Sequence, residues 1–186
     1  MKHEGQLKAL LTHDPVRMKI LRIARDLNLP DCWIAAGFVR SLVWDHLHQR
    51  KPSALPDDID VIWFDPARAT AETDSALERK LSGLCSEVNW SVKNQARMHL
   101  RNADAPYRSA ADAMTCWPET ATAVGVRLDH EDAMGVSAPL GLEDLFSGVV
   151  RPTDRFKNEK YRLFLDRVRS KAWREIWPEL TLVTQR

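Results

Sequence analysis

Apolar positions along this chain switch between helical and strand spacing, and the switches mark out alternating elements. Asp14-Pro15 supplies a capping carboxylate and a proline suited to a first helical turn. Val16, Ile20, Ile23 and Leu27 then recur at helical spacing until residues 28–30 end the run. Residues 32–36 read as a short strand. Gly37 opens a helix through about Leu47, with Val39, Leu42, Val43 and Leu47 apolar. A turn-rich loop through Lys51-Pro52-Ser53 and Pro56 leads into a strand, Asp57-Asp58-Ile59-Asp60-Val61-Ile62-Trp63-Phe64. A polar helix is predicted over 68–84, then a strand over 88–94 with Val88, Trp90 and Val92 on one side.

Beyond residue 100 the pattern predicts a short helix over 109–117 and a strand over 122–128 with alternating Val124, Val126 and Leu128. Residues 134–139 pair with that strand as a hairpin. A helical turn over 142–146, extended chain at Val149-Val150 and a final helix over 158–176 complete the reading. The last helix places Tyr161, Leu165, Val168 and Ala172 on one face. The fold class is α+β, a sheet with helices packed against it and a C-terminal helix. No repeat or long linker divides the chain, so residues 1–186 are expected to form one domain.

Composition narrows the class without naming it. A chain of 186 residues, 28% charged and 44% apolar, is ordinary for a globular protein with a sizeable core. Its net charge of +1 gives no global electrostatic case for nucleic acid. The apolar runs are too short to span a bilayer, and Met1-Lys2-His3-Glu4 lacks an apolar signal region, so no membrane partner is expected. Cys32, Cys85 and Cys116 are widely spaced with no CxxC pair, which argues against zinc and for a reducing, cytoplasmic setting.

The candidate chemistry lies at Asp58 and Asp60. Strand alternation puts these carboxylates on one face, opposite Ile59 and Val61. Two acids held that close repel unless a cation sits between them, and an oxygen pair suits Mg²⁺ with water and substrate phosphates completing its shell. Asp57 faces away and reads as a turn residue. Upstream, Ala35-Ala36-Gly37-Phe38-Val39-Arg40 places a glycine at a strand–helix junction, where free N–H groups and the helix dipole attract phosphate. Arg40, one turn in, has a guanidinium suited to bidentate phosphate pairing.

Gly37-Phe38-Val39-Arg40 followed by Asp58-Ile59-Asp60-Val61 resembles the nucleotidyltransferase superfamily that includes DNA polymerase beta, CCA-adding enzymes and aminoglycoside nucleotidyltransferases. The chain is most similar to a family of small bacterial nucleotidyltransferase-like proteins, on Val92-Lys93-Asn94-Gln95-Ala96-Arg97-Met98-His99, Trp117-Pro118-Glu119-Thr120-Ala121-Thr122 and Lys171-Ala172-Trp173…Trp177-Pro178. The resemblance implies a mixed sheet packed with helices, and transfer of a nucleoside monophosphate from an NTP, ATP most readily, to an acceptor hydroxyl. It implies Mg²⁺ on Asp58 and Asp60, with phosphates at Gly37, Phe38 and Arg40.

Two departures stand out. Many relatives carry Gly-Ser or Gly-Gly where this chain has Gly37-Phe38. Polymerase-like members also place a third carboxylate on the neighbouring strand, which here has no acid after Glu87. Glu119 and Asp129 are the candidate replacements, Glu119 preferred. Lys93, Asn94 and Arg97 end an apolar strand, and Lys93 and Asn94 are expected to hold triphosphate or acceptor. His99 reads as a packed or exposed histidine. The basic last helix, Arg167 included, reads as a solvated face, with Trp173 and Trp177 anchoring it to the core. The expected acceptor is a small molecule. An RNA end is the alternative, set back because the CCA-adding resemblance covers only the two core motifs. The remaining alternative is a silent nucleotide-binding or interaction module.

Overall fold

The computed structural model describes residues 2–184. Two N-terminal helices, α1 (Lys2–Thr12) and α2 (Pro15–Arg25), precede β1 (Trp33–Ala35), α3 (Gly37–Leu47) and β2 (Ile59–Trp63). Next come α4 (Ala71–Leu84), β3 (Trp90–Asn94), α5 (Gln95–Asn102) and α6 (Ala110–Thr115). The hairpin β4 (Gly125–Leu128) and β5 (Met134–Ser137) is followed by α7 (Glu143–Phe146) and β6 (Val149–Val150). The chain finishes with α8 (Tyr161–Lys171), α9 (Trp173–Ile176) and β7 (Thr181–Leu182).

Five strands form one mixed sheet in the order β3-β2-β1-β4-β5; only β2 and β3 run parallel. Parallel neighbours need a crossover, and α4 supplies it. The period of two sets the faces of β2. Ile59, Val61 and Trp63 pack in the main core with Phe38, Val39 and Val43 of α3. Ile62 packs on the opposite face with Ala35, Ala110, Met114 and Ala123. Every residue of α3 from Gly37 to Asp45 is buried, so this helix runs through the core rather than along the surface.

The predicted elements are present with shifted edges. The strand carrying the aspartates begins at Ile59, leaving Asp58 in the exposed bend before it. Thr120–Thr122 forms a 3-10 turn, and β4 starts only at Gly125. The predicted last helix breaks at Ala172, whose φ of 46° is left-handed. That break turns Trp173 and Trp177 onto Trp44, with ring centroids 5.5 and 5.2 Å away. β7, unread in the sequence, pairs in parallel with β6. Among the described residues no helix is long and apolar enough to cross a membrane.

α2 corrects the helical-face reading: Arg17, Ile20, Leu21 and Ala24 are buried, while Val16 is 52% exposed. Arg17 turns inward because its guanidinium finds acceptors on three segments. Nε donates to Phe38 O at 3.2 Å, Nη2 to Ala54 O at 2.8 Å and Ser41 Oγ at 3.3 Å, and Nη1 to Asp14 Oδ2 at 2.5 Å. Asp45 grips the same loop from the other end of α3, taking Ser53 Oγ at 2.7 Å while Trp177 Nε1 donates to it at 2.8 Å. Together they pin the loop that delivers Asp58.

Arg17→Met should therefore destabilise the fold by roughly 3–5 kcal/mol, because it strands several buried acceptors and one carboxylate. Urea unfolding of the two proteins measures this; a loss below about 1 kcal/mol would mean that Arg17 does not hold the loop.

Candidate functional site

Asp60 sits one residue into β2, its Cα opposite Ala35 on β1 and Ser91 on β3. Burial first, and then the Asp58 carboxylate, push the Asp60 carboxyl up to about 6 from 3.8. Arg40, the Ser91 hydroxyl and Arg167 pull it the other way. Asp60 is thus a recessed acid beside an exposed one. Ser91 occupies the neighbouring-strand position paired with Asp60, and β3 carries no acid. Among the described residues no group of three or more His, Cys, Asp or Glu side chains is gathered as a metal would need.

The glycine junction lies beside this pair. Ala36, with φ 53° and ψ −118°, turns the chain sharply from β1 into α3 and offers no side-chain cap. Val39 N–H and Arg40 N–H both donate to Ala36 O, leaving the first amides of the helix, at Gly37 and Phe38, without an intrahelical acceptor. A Cβ on Gly37 would lie 3.2 Å from Pro56 Cβ and 3.6 Å from Arg40 Nη2. The first of these is a tight contact that would push the pinned loop back by a few tenths of an ångström, and the second is ordinary packing. Phe38 requires a correction: its side chain is fully buried under Arg17, so only its backbone remains available to a ligand.

Arg40 is the unusual group. It is 8% exposed, its side chain makes no hydrogen bond or ion pair among the described residues, and its Nε is buried without an acceptor. Its Cζ lies 5.2 Å from the Trp44 ring centroid and 4.6 Å from that of Trp173. Burial lowers its pKa to about 10 from 12.5; Glu119 is the main group opposing that shift, with Arg167 reinforcing it and Asp60 and Asp58 resisting it. A buried cation held only by indole faces is incompletely compensated, since cation–π contacts recover about 2 kcal/mol of a much larger desolvation.

Glu119 also departs from expectation. Its carboxylate is 1% exposed, accepts Arg167 Nε at 2.7 Å through Oε1 and accepts Thr122 Oγ1 at 2.9 Å through Oε2. With both oxygens engaged and no exposure to a substrate hydroxyl, it fits charge balance rather than proton abstraction. Asp129 caps the β4–β5 turn by accepting from Glu131 N at 2.9 Å and Ala133 N at 2.8 Å. Arg167 was legible only as one member of a basic helix; nothing in its spacing singled it out.

Lys93 and Asn94 both have partners within the fold. Lys93 Nζ donates to Glu78 at 2.7 Å, and Glu78 also caps the outer edge of β3 through Val92 N at 2.9 Å. Asn94 is fully buried; its amide ties Asp65 O at 2.8 Å and caps α5 through Ala96 N at 3.0 Å. Arg97 pairs with the buried Asp74, which also accepts Trp63 Nε1 at 2.9 Å. These groups hold the far end of β2 and β3, roughly 10 Å of strand beyond Asp60. His99 stacks edge-on to Tyr107, with centroids 6.1 Å apart. Two cavities of about 200 Å³ lie elsewhere, one between α2 and the β1–β4 pair and one behind α8 and α9. Neither is lined by Asp58, Asp60 or Arg40, so chemistry rather than volume marks the site.

A mixed sheet presenting two acids beside a glycine-led helix defines the nucleotidyltransferase class of fold. The chain belongs to the Nucleotidyltransferase family, whose model matches residues 22–182. It is similar to a structure solved by NMR and described as a CCA-adding enzyme head domain. That match has 38% identity and a TM-score of 0.85, covering 97% of this chain and 96% of that one. It shares its fold with the Thermotoga maritima CCA-adding enzyme complexed with tRNA, at 14% identity and a TM-score of 0.60, covering 96% of this chain. A CCA-adding enzyme complexed with CTP is alike to the same degree, at 14% identity, a TM-score of 0.60 and 96% of this chain. The chain spans 42% and 43% of those two proteins. None of the curated proteins matches it. The CCA-adding likeness therefore runs through nearly the whole chain in fold, which corrects the expectation that it ends after two motifs.

The raised pKa of Asp60 has a thermodynamic consequence. A carboxyl with a folded pKa near 6 and an unfolded value near 3.8 lowers stability as pH rises between those values, and the penalty is full above about 6. Asp60→Asn should raise stability by on the order of 2 kcal/mol at pH 7.5 in chelator, with the gain vanishing towards pH 4. Denaturant midpoints at both pH values check this; a gain equal at both would contradict the assignment.

Proposed function

We propose that this protein transfers a nucleoside monophosphate from an NTP, ATP most readily, to an acceptor hydroxyl at the Asp58–Asp60 edge of the sheet. The observation that carries this reading is Arg40: a buried guanidinium whose side chain has no acceptor among the described residues, Nε included, is suited to an incoming phosphate. The first-turn amides of α3 at Gly37 and Phe38, which have no intrahelical acceptor, add donors of the kind that hold phosphate at helix N-termini.

The donor set of Asp58 and Asp60 fits Mg²⁺, which takes one or two protein carboxylates and fills its remaining positions with water and phosphate oxygens. When bound, the ion supplies charge neutralisation and polarisation at the phosphate. The chain's own residues do the rest. Asp58, exposed, and Asp60, recessed, set where the α-phosphate stands, and the α3 terminus and Arg40 hold the polyphosphate in line. The acceptor oxygen forms a bond to the α-phosphorus as the bond to the β-phosphate oxygen breaks, and pyrophosphate leaves with the electron pair. The acceptor proton passes to solvent, because Glu119 is already held by Arg167 and Thr122.

A small-molecule hydroxyl is one acceptor reading. The terminus of an RNA is the second, favoured by the fold likeness to CCA-adding enzymes, one of them complexed with tRNA.

In calorimetry with Mg²⁺ present, Asp60→Asn and Arg40→Ala should each weaken ATP binding about tenfold or more, as expected for loss of a charged contact. Arg40→Ala should leave adenosine binding unchanged. Equal losses for ATP and adenosine, or none for either, would remove Arg40 from the phosphate site.

Transfer itself is checked by pyrophosphate release with each NTP over acceptor pools. Release stimulated by a tRNA pool and not by small hydroxyl compounds selects the RNA reading, and the reverse selects the small molecule. Release with neither, from protein that binds Mg·ATP, would contradict transfer.

A further inference from the structure

Two guanidinium groups at this site share one indole. Arg40 Cζ lies 4.6 Å and Arg167 Cζ 5.8 Å from the ring centroid of Trp173. Like charges so close repel, and Arg167 is one reason the Arg40 pKa is low. Among the described residues the only carboxylate bonded to either group is Glu119, fixed by Arg167 Nε at 2.7 Å and by Thr122 Oγ1 at 2.9 Å. The fold thus holds a second cation against the first, at an electrostatic cost that an anion would relieve.

Arg167 is also built differently from its neighbours on α8. Its Nε is tied to Glu119, which fixes the plane of the guanidinium, and its side chain is 36% exposed. Its Nη atoms take no acceptor among the described residues. Arg169 instead points to Asp166 on the open surface, 81% exposed. The field of Arg167 reaches Asp60 and favours its ionised form. A guanidinium anchored by one nitrogen, with its fork turned to solvent beside two acids and a buried arginine, has the geometry of a phosphate clamp.

We propose that Arg167 binds the terminal phosphates of the NTP through its Nη atoms, with Glu119 as the positioning residue that holds the fork. The inference rests on the reading of the Asp58–Asp60 edge as an NTP site. It gives the C-terminal helix a direct part in substrate binding: Arg40 serves the phosphate nearest α3, and Arg167 the β- and γ-phosphates that leave as pyrophosphate. A fixed fork there stabilises the charge that collects on the leaving group as the α-phosphorus bond breaks.

The test is calorimetry with Mg²⁺ using ATP, AMP and inorganic pyrophosphate, on wild type, Arg167→Ala, Arg167→Lys, Glu119→Gln and Arg40→Ala. Arg167→Lys keeps a cation for Glu119, so it preserves folding where Arg167→Ala does not. The expected result for Arg167→Lys is about tenfold weaker binding of ATP and pyrophosphate, with AMP within about twofold of wild type. Glu119→Gln should give a smaller loss with the same ATP-over-AMP signature, which a general loss of stability would not produce. If Arg167→Lys binds ATP and pyrophosphate like wild type while Arg40→Ala binds them weakly, Arg167 is a structural partner of Glu119 and the proposal falls alone. If wild type binds neither ATP nor pyrophosphate, the NTP reading and this proposal fall together.

Discussion

A cation buried without a counter-ion in contact is the constraint around which this molecule is arranged. Arg40 sits on the core helix α3, 8% exposed and bonded to no described acceptor. Removing a guanidinium from water costs several kcal/mol even after relaxation, so the surroundings must tolerate it. They do so at a distance: two indole faces, the carboxylate of Glu119, and the acids Asp58 and Asp60 all favour its charge. The same field acts in reverse on Asp60, whose acidity burial and Asp58 suppress and Arg40 partly restores. Acids and arginines here form one electrostatic system, in which each carboxylate favours the charge of Arg40 and Arg40 favours that of Asp60.

The rest of the fold serves to hold that system in place. Arg17 joins α2, α3 and the loop before Asp58, and Asp45 joins the same loop to Trp177. Pro56 then closes over Gly37 so tightly that only a glycine fits without displacement. Ala36 carries a positive φ at the junction, a backbone state that a non-glycine residue keeps only when its surroundings determine it. The C-terminal break at Ala172 brings Trp173 under both Arg40 and Arg167, so the end of the chain contributes to a site made by its beginning.

Much of this was legible in the sequence where short-range rules act. The Asp14-Pro15 start, the strand–glycine–helix junction at Gly37, and the β4–β5 hairpin follow from capping, backbone freedom and period. What failed was local reasoning about polar side chains whose partners are distant in sequence. Lys93 and Asn94 looked like ligands at a strand end, yet their partners are Glu78 and the loop at Asp65. Glu119 looked like an available acid, yet Arg167 and Thr122 take it. Val16 read as core because helical spacing is blind to a neighbouring arginine that can satisfy itself inside. Arg167 lay hidden within a basic helix because only tertiary packing sets it apart from Arg169.

The central claim is that the Arg40 guanidinium is held ready for a phosphate. Its Nε–H resonance in a ¹H–¹⁵N spectrum reports on that directly, since the proton has no acceptor among the described residues. Titration with Mg·pyrophosphate should shift that resonance, in the direction of a stronger hydrogen bond, while adenosine leaves it in place. An Arg40 Nε–H signal that stays fixed at saturating Mg·pyrophosphate, in protein shown by calorimetry to bind it, would contradict the account.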